Sequence, residues 1–144
     1  MQIIGFNLTK ISIQREEALS GNFKVTSKID VKNISEEKID LAPGKSVAKL
    51  DFEYSIDYEP KIAELKFKGF ILLLGDPKEI KDTITDWKKK NTLLTDIKVR
   101  TFNTIFHKCN IKAIQLEDEL GLPPHIQMPK IKTEDSSKKA TYTG

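Results

Sequence analysis

The stretch that most constrains this chain is residues 95–131, where a long amphipathic helix gives way to an apolar, proline-rich segment. Val99, Phe102, Phe106, Cys109, Ala113, Leu116 and Leu120 recur at steps of three and four, and Ile105 widens the stripe. That period predicts a helix with one buried face, leaving Arg100, Asn103, Lys108, Lys112 and Glu119 elsewhere. Thr95 is placed to cap the N-terminus, with Asp96 well set against the macrodipole. Gly121 supplies the left-handed residue past the last turn, and Leu122 can pack back on the helix. Pro123 and Pro124 then exclude a return to helix. Leu122, Ile126, Met128 and Ile131 are apolar, yet Pro123, Pro124 and Pro129 remove donors that a central strand needs. A stiff apolar strap of this kind must lie over something apolar. It is either a chain end packed over its own sheet or the border of a groove for extended peptide.

Upstream the sequence reads as four strands. Over residues 2–15, Ile4, Phe6 and Leu8 alternate on even positions and Ile11 and Ile13 on odd ones. The slip predicts a bulge or bend near Thr9 and Lys10. Residues 23–34 form a second strand with Phe23, Val25, Ile29 and Val31 inward. Residues 35–46 are a polar loop around Pro43-Gly44, tacked down by Ile39 and Leu41. Residues 47–58 alternate cleanly, with Ala48, Leu50, Phe52, Tyr54, Ile56 and Tyr58 on one face. After a turn at Pro60, a fourth strand carries Ala63, Leu65 and Phe67 inward. From 70 to 74 it becomes apolar on both faces, which predicts cover on both sides.

The outward charges order these strands. The second and fourth offer mostly Lys and the third mostly Asp and Glu, so a meander with the acidic strand in the middle places opposite charges side by side. The first strand then lies at an edge. Asp76-Pro77-Lys78-Glu79 opens a short helix with Asp as cap and Pro at the first position, and Ile80, Ile84 and Trp87 form its stripe. Lys88, Lys89 and Lys90 suit its C-terminal end. Segregated strands and helices make an α+β domain: a four-stranded antiparallel sheet followed by a short and a long helix packed on one face. The domain spans 1–131. Residues 132–144 have almost nothing to bury and read as a disordered polar tail.

With 144 residues, 24 basic and 21 acidic side chains and a net charge of +3, the chain reads as one domain with a heavily solvated surface. Arg occurs only at 15 and 100, which argues against nucleic acid as a partner. No apolar run approaches the roughly 20 residues of a membrane span. A single cysteine and no visible export signal point to the cytoplasm.

Catalytic chemistry has few candidates. His107 and Cys109 are two apart on a helix and so point about 200° apart. Cys109, on the apolar stripe, reads as a buried thiol. His125 reads as a local polar contact or a functional group, and the cluster Glu117-Asp118-Glu119 as a solvated helix end or an acidic docking patch. There is no phosphate-binding Gly-rich loop and no metal-ligand spacing, so the expectation is a non-enzyme without cofactors.

With these elements in place, the chain resembles the SecB family of export chaperones. The matching residues are Gln2-Ile3-Ile4-Gly5-Phe6-Asn7-Leu8-Thr9-Lys10-Ile11, Lys68-Gly69-Phe70-Ile71, and above all Gly121-Leu122-Pro123-Pro124-His125-Ile126-Gln127-Met128-Pro129 after the long helix. The resemblance implies a crossover after the first strand, subunits pairing into a continued sheet, and a dimer of dimers. It implies an ATP-independent holdase whose apolar groove takes unfolded or pre-export polypeptide. Carried over by position, Leu122, Pro123, Pro124, Ile126, Met128 and Pro129 would line that groove, while Phe52, Tyr54 and Phe67 are its floor or simply core. Two features depart from the family. Residues 133–144 cannot form its usual last helix, and the Lys-rich sheet face differs from the acidic face that meets the SecA motor. A chaperone dedicated to one client, such as an antitoxin, is an equally open reading.

Overall fold

Strand register sets the architecture, and it depends on two interruptions in the first strand. A computed structural model describes residues 1–16 and 21–127. Its strands are β1 (Gln2–Arg15), β2 (Lys24–Glu37), β3 (Ser46–Glu59) and β4 (Ala63–Gly75). They form one antiparallel sheet in the order β1-β4-β3-β2. The chain therefore crosses the sheet after β1, as the resemblance implies, and meanders back with the acidic β3 between β2 and β4, as the charge pattern predicts. Glu53 at mid-sheet lies 3.5 Å from Lys66 and 3.9 Å from both Lys32 and Lys68.

In β1 a register shift between Leu8 and Lys10 absorbs the predicted slip. It keeps Leu8 opposite Gly69, Ile11 opposite Phe67 and Ile13 opposite Leu65 on the helix-facing side. Gly69 allows this close approach, because a Cβ there would land on the Asn7 carbonyl oxygen. A second shift, between Ile3 and Gly5, was not foreseen from the alternation. It gives the inward place opposite Leu73 to Ile3, so Ile4 is exposed and does not share a face with Phe6 and Leu8.

The end of β4 is covered by this chain on one face. Ile71 and Leu73 are buried under the helices, but Phe70, Leu72 and Leu74 on the other face are half-buried, with the Lys49 ammonium 4.7 Å from the Phe70 ring centre. Both helices send their apolar residues into the core on the opposite face, so the second cover is not supplied by the described residues. Ile39 and Leu41 are exposed and do not tack down their loop; β2 instead runs on to Glu37.

The first helix, α1 (Pro77–Lys90), starts as predicted, with the Asp76 amide 3.4 Å from Glu79 Oε1. It ends at left-handed Asn91, whose N–H donates to the Trp87 carbonyl. Ile80 is fully buried, and Ile84 and Trp87 pack partly against the core. The second helix, α2 (Thr95–Glu119), has Leu94 rather than Thr95 at its N-cap and no side-chain cap. Its buried row is Ile97, Thr101, Ile105, Cys109, Ala113 and Glu117. This is a single ridge of i+4 steps, inclined to the helix axis as such ridges are. The predicted stripe shares Cys109, Ala113 and the widening Ile105 with it; Val99 and Phe106 are exposed. The helix closes with the paired C-terminal bonds Leu122 N–H to Glu117 O (2.8 Å) and Gly121 N–H to Asp118 O (3.1 Å) around Gly121 at φ 66°.

Candidate functional site

The strap leaves α2 at Gly121 and lies against the far end of the sheet. Leu122 is buried, Pro123 half-buried, and Pro124 and Ile126 exposed. Met128, Pro129 and Ile131, and the tail 132–144, lie outside the described residues. Phe52, Tyr54 and Phe67, the groove-floor-or-core candidates, are all buried. They form part of one aromatic layer: Tyr54 stacks on Phe67 (6.1 Å between ring centres), and Phe52 stacks on Phe6 (5.5 Å). At the edges of this layer the aromatics reach solvent. Phe106 of α2 meets Tyr54 edge-on at 5.6 Å and is 37% exposed, and Phe23 lies 6.2 Å from Tyr58 and is 41% exposed.

Polar groups hold the strap to this surface. The His125 Nδ1–H donates to the Glu117 carboxylate (2.9 Å to Oε1, 2.8 Å to Oε2), and the His125 backbone N–H also donates to Oε1 at 3.1 Å. Its Nε2 meets Asn110 Oδ1 at 2.7 Å, and the same oxygen accepts from the Tyr54 hydroxyl at 2.9 Å. The Tyr58 hydroxyl donates to the Pro123 carbonyl, and Arg15 Nη1 donates to the Leu120 carbonyl. The imidazole and carboxylate side chains are 2% and 1% exposed. Glu117 Oε2 has no hydrogen bond of its own although it is close to Nδ1, because one N–H can be aimed at only one oxygen.

Burial dominates the titration of the surrounding groups. It pushes the Tyr54 hydroxyl up to about 12, with Cys109 and Glu117 adding to the shift. Tyr58 is raised further by burial and then by the Glu117 charge. The Cys109 thiol is raised to about 12 by burial alone, so it is a packed, un-ionised group as expected. His107 is exposed on another side of α2. The sequence reading of 117–119 as a solvated end or docking patch fails for Glu117, which is the terminal residue of the buried ridge. Phe23, expected inward, instead lies at the rim just before β2; Tyr58 reads from the alternation as core only, and Asn110 carries no sequence signal. The i+4 spacing from Ala113 to Glu117, followed by His125, is the sequence signal that could have found the pair.

The Glu117–His125 pair presents no nucleophile, and both ring nitrogens are engaged. Among the described residues no group of three or more His, Cys, Asp or Glu is placed to hold a metal, and no helix is long and apolar enough to cross a membrane. A cavity of about 470 Å³ opens at the β3–β4 turn, lined by residues including Glu16, Asp57, Glu59, Lys61 and Glu64. None of the described strap residues lines it. Asp57 there is raised by burial first, then by Glu64 directly across the strands.

No protein-family model matches the chain, and no curated protein sequence matches it. In structure it is similar to the SecB-like chaperone Rv1957 of Mycobacterium tuberculosis, solved in complex with a ChAD peptide from the Rv1956 HigA1 antitoxin. The likeness covers 91% of this chain and 90% of that one, with a TM-score of 0.50 and 14% identity. At that identity the likeness concerns the fold, which is SecB-like.

Proposed function

We propose that the protein is an ATP-independent chaperone that holds extended, unfolded polypeptide on the aromatic surface beside α2 and the strap. The observation that carries this reading is the partly exposed apolar rim of that surface. Ile11, Phe23, Phe106 and Ile126 are 43%, 41%, 37% and 39% exposed around a closed aromatic layer. Extended chains bind such rims by apolar burial at roughly 25 cal/mol per Å² plus backbone hydrogen bonds, with little demand on sequence. Leu122, Pro123, Pro124, Ile126, Met128 and Pro129 would form its border, working in the cytoplasm without a cofactor. The exposed Val99 of α2, outside that rim, suits packing against a second copy, in line with a dimer of dimers.

The direct test is aggregation of a denatured client, followed by light scattering. Several-fold excess of the protein should delay it, and no delay would defeat the reading. A second reading, a chaperone dedicated to one client, is favoured by the antitoxin peptide bound to the structurally similar protein. Pull-downs that return one stoichiometric partner would select it over the general holdase.

A further inference from the structure

Among the described residues, apart from the His125 ring, the polar groups that the strap commits beyond the helix cap belong to its backbone. The Pro123 carbonyl accepts from the Tyr58 hydroxyl, and the His125 N–H donates to Glu117 Oε1. The groups that receive them are side chains of β3 and α2, and they offer to an extended segment what the backbone of any extended chain can meet. The segment is bonded to Tyr58 directly and to Tyr54 through Asn110, and the rings of these tyrosines meet Phe23 and Phe106, the aromatic edges of the candidate site. Building on the chaperone reading above, we propose that residues 123–126, the border of the peptide site, also fill part of it as a resident segment while no client is bound. A client then binds by displacing this segment from Tyr58, Asn110 and Glu117.

The latch is the His125 side chain, and its strength is limited by its own geometry. Glu117 is fully buried, so closing the strap must supply a donor to its carboxylate. His125 supplies two N–H groups, both to Oε1, and Oε2 is left without a hydrogen bond. Lifting the segment admits water to both oxygens, which offsets part of the loss. Other charged or titratable groups near this point are Tyr54 and Tyr58 of β3, Cys109 of α2, and Arg15 of β1, which bonds the Leu120 carbonyl. Gly121, at φ 66°, and the two helix-closing bonds stay with α2. The segment can therefore swing from that point without unwinding the helix.

When only the open fraction of a protein binds, apparent affinity falls by that fraction. Weakening the latch should therefore tighten client binding, a gain that misfolding does not mimic. Two fluorescein-labelled peptides serve as probes: one of alternating Leu and Ser, and one with the strap's own sequence Leu-Pro-Pro-His-Ile-Gln. H125A should bind both about tenfold more tightly than the wild type. The double variant H125A/E117Q, which leaves no unpaired buried charge, should do the same.

In the wild type, adding peptide should speed hydrogen exchange at the His125 amide and leave the Leu122 amide protected. Folded variants that bind no more tightly than the wild type would overturn the proposal. So would peptide binding that leaves the His125 amide unchanged, a measurement that decides even where both variants fail to fold. Delayed aggregation alongside either negative result removes only the self-occlusion. A protein that neither binds peptide nor delays aggregation removes the chaperone reading with it.

Discussion

The two ends of the sheet are closed by different physics. At the end where β1 begins, α1 lowers Ile80 into a layer that holds Ile34, Leu50 and Ile71, three residues paired side by side across β2, β3 and β4. The polar group buried there, Thr83, is satisfied within its own helix by the Glu79 carbonyl. At the far end the cover is the strap, fixed by Glu117, His125, Asn110, Tyr54 and Tyr58. An apolar closure is non-directional and degrades gradually as area is lost. A buried polar closure depends on every member being satisfied, and removing one strands the rest. The first kind of closure suits a permanent lid, the second a cover that opens as a unit.

Truncation should separate the ends first. Ile80→Ala removes a fully buried side chain from a packed layer and should cost about 3 kcal/mol of stability, read as a lowered midpoint in urea. His125→Ala should cost about 2 kcal/mol. That is less than the 3–5 kcal/mol common for breaking a buried ion pair, because the strap can lift and let water reach Glu117. The two losses should add within about 0.5 kcal/mol, since the sites share no partner. Marked non-additivity would show that the ends are coupled and break the contrast. Replacing both members of the pair, as in E117L/H125L, should recover most of the loss.

Much of this contrast could be read in the sequence at one end and little at the other. Ile80, Ile84 and Trp87 follow Asp76-Pro77 at helical spacing, and the strands alternate, so local pattern and global fold agree there. The β2-β3-β4 order was legible too, because the Lys and acidic faces of neighbouring strands must match. The strap's existence followed from Gly121 and the prolines. Its attachment did not, because a Glu at the end of a helix reads as solvated until tertiary packing inclines the buried ridge toward it. Ile4 was misplaced for a related reason: an alternating strand carries no mark of a bulge that pairing with β4 imposes. The tyrosines Tyr54 and Tyr58 alternate as core residues, and their hydroxyl partners lie on elements some fifty residues or more away.

Alkaline titration should sharpen the contrast without mutation. Tyr54 is held near 12 against an ordinary value of 10.0, and Tyr58 is raised further. A raised pKa means that the folded state keeps protons the unfolded state releases. The stabilisation is thus full below pH 10 and lost as pH climbs toward 12 and beyond. Protection of the His125 amide relative to its intrinsic, base-catalysed exchange should fall through that window. Fluorescence of Trp87, on α1, should change only later. Simultaneous loss of both signals would mean that the strap does not open separately.

The smallest effect expected is at mid-sheet, and it serves as the control for the rest. Glu53 lies on the outer face between the two ends, with three Lys ammonium groups at 3.5 to 3.9 Å and a side chain 14% exposed. Charge pairs of this kind lose most of their Coulomb energy to nearby solvent, so Glu53→Gln should cost only a few tenths of a kcal/mol, less still in high salt. It should shift global stability slightly while leaving peptide affinity and His125 exchange untouched. If it instead altered client binding, the outer face would be linked to the strap through the sheet. The client-binding surface would then extend through the strands rather than stop at the clasp beneath the strap.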